Sequence, residues 1–364
     1  PGAAKGCAEA CNLRNNIPSE NLVSSFHRMT ELQRILQRLD ALSTTDGSSG
    51  VLATLVTVAG SSYRRPGARL LYLPDGRRIG SISGGCLEED VLARAARVAA
   101  TGVAELATYD TTAENDLVWG VGLGCHGVVQ ILLEKLPPTA PAWSKVLASR
   151  LRAHRPTPLA VVWRAPDPRA LGTYLADELP TLSSAAGIFF ETVEPPTRLI
   201  VYGAGDDAQP LVRLAKELGW HVTVADPRAA FATAERFPTA DAIVAAPAPA
   251  LVARTAPAGD ALAVVMTHHY VHDVPLLRDL LPRPLAYLGL LGPKQRAERI
   301  LADLAENGLS LTPADRARLH APVGLDLGAE NPEDVALSIL AEMRATLAGR
   351  DARPLRERRK PIHA

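Results

Sequence analysis

The chain has 364 residues, 47% of them hydrophobic, and its 39 basic and 39 acidic side chains give a formal net charge of zero. This length predicts two domains, and the composition is that of a folded globular protein. The balanced charge argues against binding to nucleic acid or to an anionic membrane surface, and no apolar stretch is long enough to cross a membrane.

The first 28 residues differ from the rest of the chain in composition and in the spacing of apolar residues. Residues 1–28 are polar and irregular, without the apolar run of a signal peptide, and we expect them to be an upstream or added extension. Helical apolar spacing begins at Met29, which we take as the natural initiator. Cys7 and Cys11 fall in the extension, where we expect an incidental pair and not a metal site. The two remaining cysteines suit a reducing cytoplasm.

Residues 29–193 are predicted to form an N-terminal domain of mixed α and β structure, whose topology the pattern leaves open. A helix over residues 30–42 precedes a β-rich stretch, in which Pro74-Asp75-Gly76 has the composition of a hairpin turn. Further helices are predicted at residues 87–100 and 143–154. The predicted strands span residues 51–58, 69–73, 78–82, 105–109, 128–133, 159–163 and 187–193.

A proline pair marks the predicted linker, residues 194–197, and strands then alternate with helices over residues 198–348. This alternation predicts a Rossmann-like doubly wound parallel sheet, so the fold class of the chain is α/β. Asn331 and Pro332 are typical of a helix start, and the basic tail, 349–364, is expected to be solvated. Strands are predicted at residues 199–202, 221–225, 242–245, 261–266 and 285–288, and helices at 208–218, 274–281, 293–306 and 332–347.

Two cysteines are set among glycines: Cys86 follows Gly84 and Gly85, and Cys125 follows Gly124. Glycine lets the backbone reach conformations closed to other residues, which a thiol that only fills a core does not require. Cys86 also precedes a predicted helix, where free N–H groups and the helix dipole would stabilise a thiolate. We therefore predict a chemical role for both thiols. The alternative is a pair of buried cysteines beside tight turns.

The loop from Gly60 to Arg69 combines hydroxyls with arginines held between proline and glycine. Such a loop suits a phosphate or a pterin-like anion, because guanidinium groups bind these anions through paired hydrogen bonds. The alternative is an ordinary basic loop. The candidate ligands to the anion are Ser61, Ser62, Arg64, Arg65 and Arg69.

A glycine motif, Gly203-Ala204-Gly205, follows the first strand of the second half, and Asp226 ends the next strand. This arrangement matches the dinucleotide-binding fingerprint, in which the acid binds a ribose. Asp206 and Asp207 lie where a pyrophosphate would approach and would repel it, whereas both acids suit the start of a helix. The motif therefore predicts the fold and leaves binding of NAD(P) open.

Two further candidates follow later strands of the same sheet. His268, in a run of three histidines and Asp273, can hold a metal or relay a proton, although adjacent histidines on an extended chain point to opposite sides. Lys294 follows Gly292-Pro293 at a predicted helix start, which suits a phosphate. The alternative for Lys294 is an exposed basic residue on an ordinary helix.

Several long motifs, in order, resemble those of the XdhC/CoxI family, the accessory proteins that mature xanthine dehydrogenase and related molybdenum hydroxylases. The resemblance extends from Met29 to about Ala348. It rests on residues 60–67, 80–88, 119–125, 202–208, 267–269, 289–294 and 324–330.

This resemblance implies a cytoplasmic maturation factor, more a cofactor-insertion chaperone than an enzyme, that binds the molybdenum cofactor in its molybdopterin form, and it leaves open whether the chain has any catalytic turnover. It also implies protection of that cofactor during sulfuration by a cysteine desulfurase, delivery to an apo molybdenum hydroxylase, and a homodimer. Cys86 would then contact the molybdenum or pass sulfur to it, with Cys125 as its partner. Arg64, Arg65 and Arg69 would hold the phosphate.

Two alternatives come from other classes of protein. An NAD(P)-dependent oxidoreductase would use the glycine motif and Asp226, but the sequence offers no clear His/Asp or Lys/Tyr acid–base pair. A redox switch or metal-binding module would pair Cys86 with Cys125, which requires the two sulfurs to approach within bonding distance.

Overall fold

The computed structural model describes residues 29–42, 50–110 and 127–359. These residues fall into two compact units, divided between Pro195 and Pro196. No helix in the described ranges is long and apolar enough to cross a membrane.

The first unit is built on an antiparallel sheet in the order β3-β2-β1-β5-β4, so the topology that the sequence left open is antiparallel. The predicted hairpin is confirmed, because β2 pairs with β3 and the Gly76 nitrogen donates to the carbonyl of Leu73 at 2.9 Å. Gly76 has φ +82°, which glycine adopts without strain. The strands are β1 (Val51–Gly60), β2 (Arg69–Tyr72), β3 (Arg78–Gly80), β4 (Glu105–Asp110) and β5 (Gly127–Lys135).

Two helices cover opposite faces of this sheet, α1 (Met29–Leu42) and α2 (Glu88–Thr101). The central strand β1 is buried on both faces, and its alternate side chains meet different helices. Leu52 packs with the apolar face of α1, whereas Val51 and Ala53 pack with that of α2. The apolar face of α1 comprises Leu32, Ile35, Leu36 and Leu39, and that of α2 comprises Val91, Ala95 and Val98.

A second antiparallel sheet, in the order β7-β6-β8, completes the first unit. Glu134 on β5 is buried and accepts hydrogen bonds from the nitrogen of Thr173, at 3.0 Å, and from its hydroxyl, which connects the two sheets. Strand β7 was not predicted, because its four residues are too few for an alternating pattern. The elements are α3 (Ala142–Arg152), β6 (Thr157–Arg164), β7 (Gly172–Leu175) and β8 (Gly187–Val193).

The second unit contains a parallel sheet of six strands in the order β11-β10-β9-β12-β13-β14, which confirms the predicted Rossmann-like sheet. The chain builds outward from β9 in one direction and then from β12 in the other. The carboxyl ends of these two neighbours therefore flank the crevice in which such sheets bind ligands. The strands are β9 (Arg198–Tyr202), β10 (His221–Asp226), β11 (Ala242–Ala245), β12 (Leu262–Val265), β13 (Tyr287–Leu290) and β14 (Leu319–His320).

Helices cover both faces of the parallel sheet. Helices α4 and α9 pack on one face, and α5, α6 and α7 pack on the other. The predicted start of α9 is confirmed, because the Asn331 side chain accepts a hydrogen bond from the nitrogen of Asp334 at 2.8 Å. Helix α5 was missed, since its prolines are typical of a loop. The helices are α4 (Ala208–Glu217), α5 (Ala248–Thr255), α6 (Tyr270–Leu280), α7 (Lys294–Glu306), α8 (Pro313–Arg318) and α9 (Pro332–Leu347).

Candidate functional site

Cys86 lies on the loop between β3 and α2, with an exposed, unbridged thiol. Within the first unit it lines a small recess together with Ser61, Ser62 and Tyr63 of the loop between β1 and β2. The enclosed space is about 30 Å³, which admits a group of a few atoms, so a larger ligand would extend outward into solvent. The remaining lining residues are Leu55, Ile82, Ser83, Leu87, Gly127 and Val129.

Residues Ser81–Leu87, hereafter the cysteine loop, are held by the buried carboxylate of Glu88. Its Oε1 accepts hydrogen bonds from the hydroxyl of Ser81 at 2.8 Å and from the nitrogens of Ile82 and Ser83 at 3.2 and 2.9 Å. Its Oε2 accepts from the Ser83 hydroxyl. Burial alone would raise the pKa of Glu88, but the hydrogen bonds from Ser83 and Ser81 outweigh it and lower the pKa to about 2. The carboxylate is therefore ionised at neutral pH.

Ser83 fixes the other side of the cysteine loop. Its hydroxyl oxygen accepts hydrogen bonds from the nitrogens of Gly85 and Leu87, both at 3.1 Å, which satisfies donors beside the start of α2. Gly85 has φ +116°, a conformation that other residues rarely adopt. Cys86 therefore projects from a turn whose backbone is held on both sides.

The glycines around the recess bring the two loops together. A Cβ atom built on Gly84 would lie 3.7 Å from the Cδ1 atom of Tyr63, whose side chain is 67% exposed. A Cβ atom on Gly127 would lie 2.3 Å from the carbonyl oxygen of Ser61, so only glycine fits there. The structure thus places Gly84, Gly85, Ser61 and Ser62 around Cys86.

Of the three arginines predicted to bind phosphate, Arg64 and Arg69 form ion pairs within the first unit, and Arg65 forms none with a described residue. Arg64 forms an ion pair with Glu31 of α1. Arg69 is buried, forms an ion pair with Glu191 of β8, and donates to the carbonyl of Gly67 at 3.1 Å. Both guanidinium groups are therefore engaged within the fold and are not presented to a phosphate. Arg65 makes no ion pair with a described residue, and its Nε is buried without a hydrogen-bond partner.

Cys125 and Gly124 lie outside the described residues, so their predicted roles stay predictions. Gly127, which lines the recess, is two residues further along the chain. Among the described residues, no group of three or more His, Cys, Asp or Glu side chains is arranged to hold a metal ion.

In the second unit, the predicted ribose ligand is buried. The Asp226 side chain has no exposed surface, and its carboxylate accepts hydrogen bonds from the nitrogens of Ala204 and Arg228, both at 2.7 Å, and from the Arg228 guanidinium at 2.8 and 2.9 Å. Four bonds occupy the acceptor sites of a carboxylate. Burial would raise the pKa of Asp226, but these bonds lower it. In this arrangement Asp226 has no position left for a ribose hydroxyl, contrary to the prediction.

The glycine motif is explained by packing between strands. Gly203 has φ +123°, and a Cβ atom there would lie 2.4 Å from the carbonyl oxygen of Met266. Gly205 is confined by its own loop, since its Cβ atom would lie 2.6 Å from an oxygen of Asp207. Both glycines therefore have a structural reason that involves no ligand.

One acid–base pair that the sequence did not reveal joins the loops after β9 and β12. Nε2 of His268 lies 2.7 Å from Oδ2 of Asp207, whose side chain does not cap helix α4. His268 has φ +61°, and its carbonyl accepts a hydrogen bond from Arg296 at 3.3 Å. The sequence offered no clear His/Asp pair, and the structure brings this one together. Lys294 is 76% exposed, with Glu298 at 3.9 Å as its ion-pair partner on the same helix.

Family profiles match both halves of the chain. The profile described as the XdhC and CoxI family matches residues 44–110. The profile described as the XdhC Rossmann domain matches residues 199–343.

Individual relatives match along most of the chain. A protein of Bacillus subtilis (strain 168), named as a probable xanthine dehydrogenase subunit, is 34% identical over 339 residues, which cover 88% of this chain and 97% of that protein. The molybdenum cofactor insertion chaperone PaoD of Escherichia coli (strain K12) is 27% identical over 318 residues, with 86% and 89% covered. A crystal structure described as a xanthine dehydrogenase from Bacillus halodurans is 30% identical, with a TM-score of 0.72 and coverage of 88% of this chain and 98% of that one.

Proposed function

The chain belongs to the XdhC and CoxI family, and from this we propose that it is a maturation factor that receives the molybdenum cofactor and assists its insertion into a xanthine dehydrogenase-type molybdenum hydroxylase. The name of the Escherichia coli relative, a molybdenum cofactor insertion chaperone, supports this proposal. The cofactor is cargo in this role, and the hydroxylase performs the catalysis.

The exposed thiol of Cys86 on its clamped loop is the observation that carries the proposal. Molybdenum in this cofactor is bound by sulfur, and a thiolate is a soft ligand suited to such a centre. A carrier must bind the metal and release it again, which requires a thiol at the surface and not in the core. Cys86 meets this requirement, since it is exposed while Glu88 and Ser83 fix the backbone beside it.

The residues around the recess offer polar, aromatic and charged groups to the pterin and phosphate parts of the cofactor. The hydroxyls of Ser61 and Ser62 supply hydrogen-bond donors and acceptors, and Tyr63 supplies an exposed aromatic face beside Gly84. Arg65 is the arginine of this loop without an ion pair among the described residues. We assign it, and not Arg64 or Arg69, to the negative charge of the ligand.

Further parts of the proposal follow from the family. Cys125 would join Cys86 at the recess, a cysteine desulfurase would supply sulfur to the bound cofactor, and the chain would act as a homodimer in the cytoplasm. A nucleotide bound by the second unit would not use Asp226, whose carboxylate is already fully hydrogen-bonded.

Retention of the cofactor tests this proposal. The purified chain is mixed under anaerobic conditions with cofactor freshly released from a molybdenum hydroxylase, then desalted and assayed for molybdenum and pterin. We expect about one cofactor per chain for the wild type and at least a tenfold loss for Cys86→Ser, on the scale of losing one strong ligand. Cys125→Ser measures the role of the second thiol.

The matched control is the double variant Cys7→Ser/Cys11→Ser, which removes the two thiols of the expected N-terminal extension. It should retain the cofactor as the wild type does. Absence of retention by the wild type would refute the carrier role. Full retention by Cys86→Ser would remove Cys86 as the metal contact.

A further inference from the structure

The pair of His268 and Asp207 lies in the second unit and takes no part in the proposed carrier role. Asp207 is on the loop after β9, and His268 is on the loop after β12. These two strands are neighbours in the parallel sheet, and their carboxyl ends flank the crevice at which such sheets bind ligands. The pair, hereafter the crevice dyad, therefore stands where a ligand of this sheet is expected.

The backbone of His268 is held in an uncommon conformation by its neighbours. Its φ of +61° lies in the left-handed region, which residues other than glycine rarely adopt and which surrounding contacts must maintain. Arg296 of α7 donates a hydrogen bond to the His268 carbonyl at 3.3 Å and pairs with the buried Asp273 at 2.5 Å. Asp273 also accepts a hydrogen bond from the hydroxyl of Thr267 at 2.5 Å. A buried network thus fixes the backbone from which the imidazole projects.

The imidazole of His268 is oriented by the carboxylate of Asp207. Nε2 lies 2.7 Å from Oδ2, and we assign the proton of the neutral ring to Nε2, which leaves a lone pair on Nδ1. A Cβ atom on Gly205 would lie 2.6 Å from Oδ1 of Asp207, so glycine at that position makes room for the carboxylate. The His268 side chain is 56% exposed, and Nδ1 has no hydrogen-bond partner among the described residues. The lone pair is therefore accessible to an incoming molecule.

The charged groups near the crevice dyad compensate one another. Three arginines of the surrounding loops and helices are each bound to an acid other than Asp207, and Arg228 lies close enough to Asp207 for their charges to attract as well. These groups leave neither an anion nor a cation an unpaired charge, so the dyad suits an uncharged substrate. The pairs are Arg228 with Asp226 at 2.8 Å, Arg236 with Asp206 at 2.7 Å, and Arg296 with Asp273 at 2.5 Å.

We propose that the crevice dyad is a hydrolytic centre for a small uncharged ester. His268 is the catalytic residue: Nδ1 takes a proton from a water molecule as the water oxygen forms a bond to the carbonyl carbon of the ester. The imidazolium then gives this proton to the departing alkoxide as the acyl C–O bond breaks, which yields a carboxylic acid, an alcohol and the neutral imidazole. Asp207 is a positioning residue, because it fixes the tautomer of the ring and stabilises the imidazolium that forms.

Hydrolysis of p-nitrophenyl acetate by the full chain, followed by the absorbance of p-nitrophenolate, tests the proposal. We expect saturable turnover by the wild type and a loss of at least tenfold in kcat for His268→Asn, since asparagine tolerates the left-handed backbone but has no basic nitrogen. Asp207→Asn should lower kcat by a similar factor at unchanged KM, because its amide donates to Nε2 and moves the ring proton to Nδ1. Asp207→Glu should recover part of the lost rate.

His269→Gln is the matched control, because it removes the exposed neighbouring imidazole and leaves the hydrogen bond of the dyad in place. It should hydrolyse the ester as the wild type does, and circular dichroism checks the fold of each variant. Three results would overturn the proposal: no saturable turnover by the wild type, unchanged kcat in His268→Asn, or an equal loss in His269→Gln. If His268→Asn does not fold, equal rates of Asp207→Asn and the wild type overturn it instead. Cys86→Ser should keep the activity, so this test is independent of the carrier role.

Discussion

The carboxylate of Glu88 receives both the backbone N–H and the hydroxyl of Ser83, so the first residue of α2 holds the loop that precedes its own helix. This arrangement determines where the thiol of Cys86 is presented. It also makes Glu88 the residue of the site whose substitution should be felt most in both stability and binding.

Glu88→Gln is expected to destabilise the first unit by about 3 kcal/mol, because the amide of Gln places N–H groups against donors that the carboxylate accepted. Cofactor retention should fall with it, since the cysteine loop loses its anchor. Urea unfolding at pH 7 measures the change. Glu89→Gln is the control, because Glu89 is exposed in the same helical turn. Equal stability of the two variants would show that the clamp contributes nothing.

The contribution of Glu88 to stability should depend on pH. Its pKa is about 2 in the folded chain, against an ordinary value of 4.5. A lowered pKa stabilises the fold above the unfolded value, and this stabilisation, about 3 kcal/mol, is lost as the pH falls from 4.5 towards 2. The stability difference between wild type and Glu88→Gln should therefore narrow over this interval. A difference that stays constant from pH 6 to pH 3 would contradict the assignment.

Gly203→Ala should destabilise the second unit by about 3 kcal/mol or more, because it combines a positive φ with a Cβ atom at 2.4 Å from the carbonyl oxygen of Met266. Gly308→Ala has a positive φ of +86° but no atom within 4 Å of the new Cβ, so it should cost about 1 kcal/mol. The thermal unfolding midpoints of the two variants separate the cost of backbone strain alone, in Gly308→Ala, from the cost of strain and a close contact together, in Gly203→Ala. Similar midpoints would show that the backbone around Gly203 moves to relieve the contact.

NADH should not bind through the dinucleotide mode that the glycine motif suggested. Asp226 is buried and fully hydrogen-bonded, and Asp207 places negative charge where a pyrophosphate would lie. In a titration followed by NADH fluorescence, we expect no saturable binding that depends on Asp226. The wild type and Asp226→Asn should therefore give the same curve. Saturable binding that depends on Asp226 would contradict this prediction and favour the NAD(P)-dependent oxidoreductase.

The parallel sheet could be predicted from sequence because its strands are buried on both faces and form apolar runs between helices. The first unit was harder. Val51 pairs with Lys135 across the sheet, and no local pattern records a pairing over that separation. Strand β7 and helix α5 were too short, or too rich in proline, to give a signal.

In the candidate sites too, features with a local cause could be predicted from the sequence, and contacts between distant residues could not. Gly85 has a local cause, its positive φ, and the glycine motif identified it, whereas Gly84 and Gly127 lie against Tyr63 and Ser61 of another loop. Arg69 and Glu191 are 122 positions apart, and Asp207 and His268 are 61 apart, so the charges could be located in the sequence but not matched to their partners. The role of Glu88 had a local signal, because two serines precede it by five and seven positions.

The position of Glu88 has a mechanical consequence. The residue belongs to the 14-residue helix α2, while its carboxylate binds the backbone of the cysteine loop, so rotation or displacement of the helix axis must carry the sulfur with it. Cys86 and helix α2 are thus connected twice, through the backbone and through the side chain of Glu88.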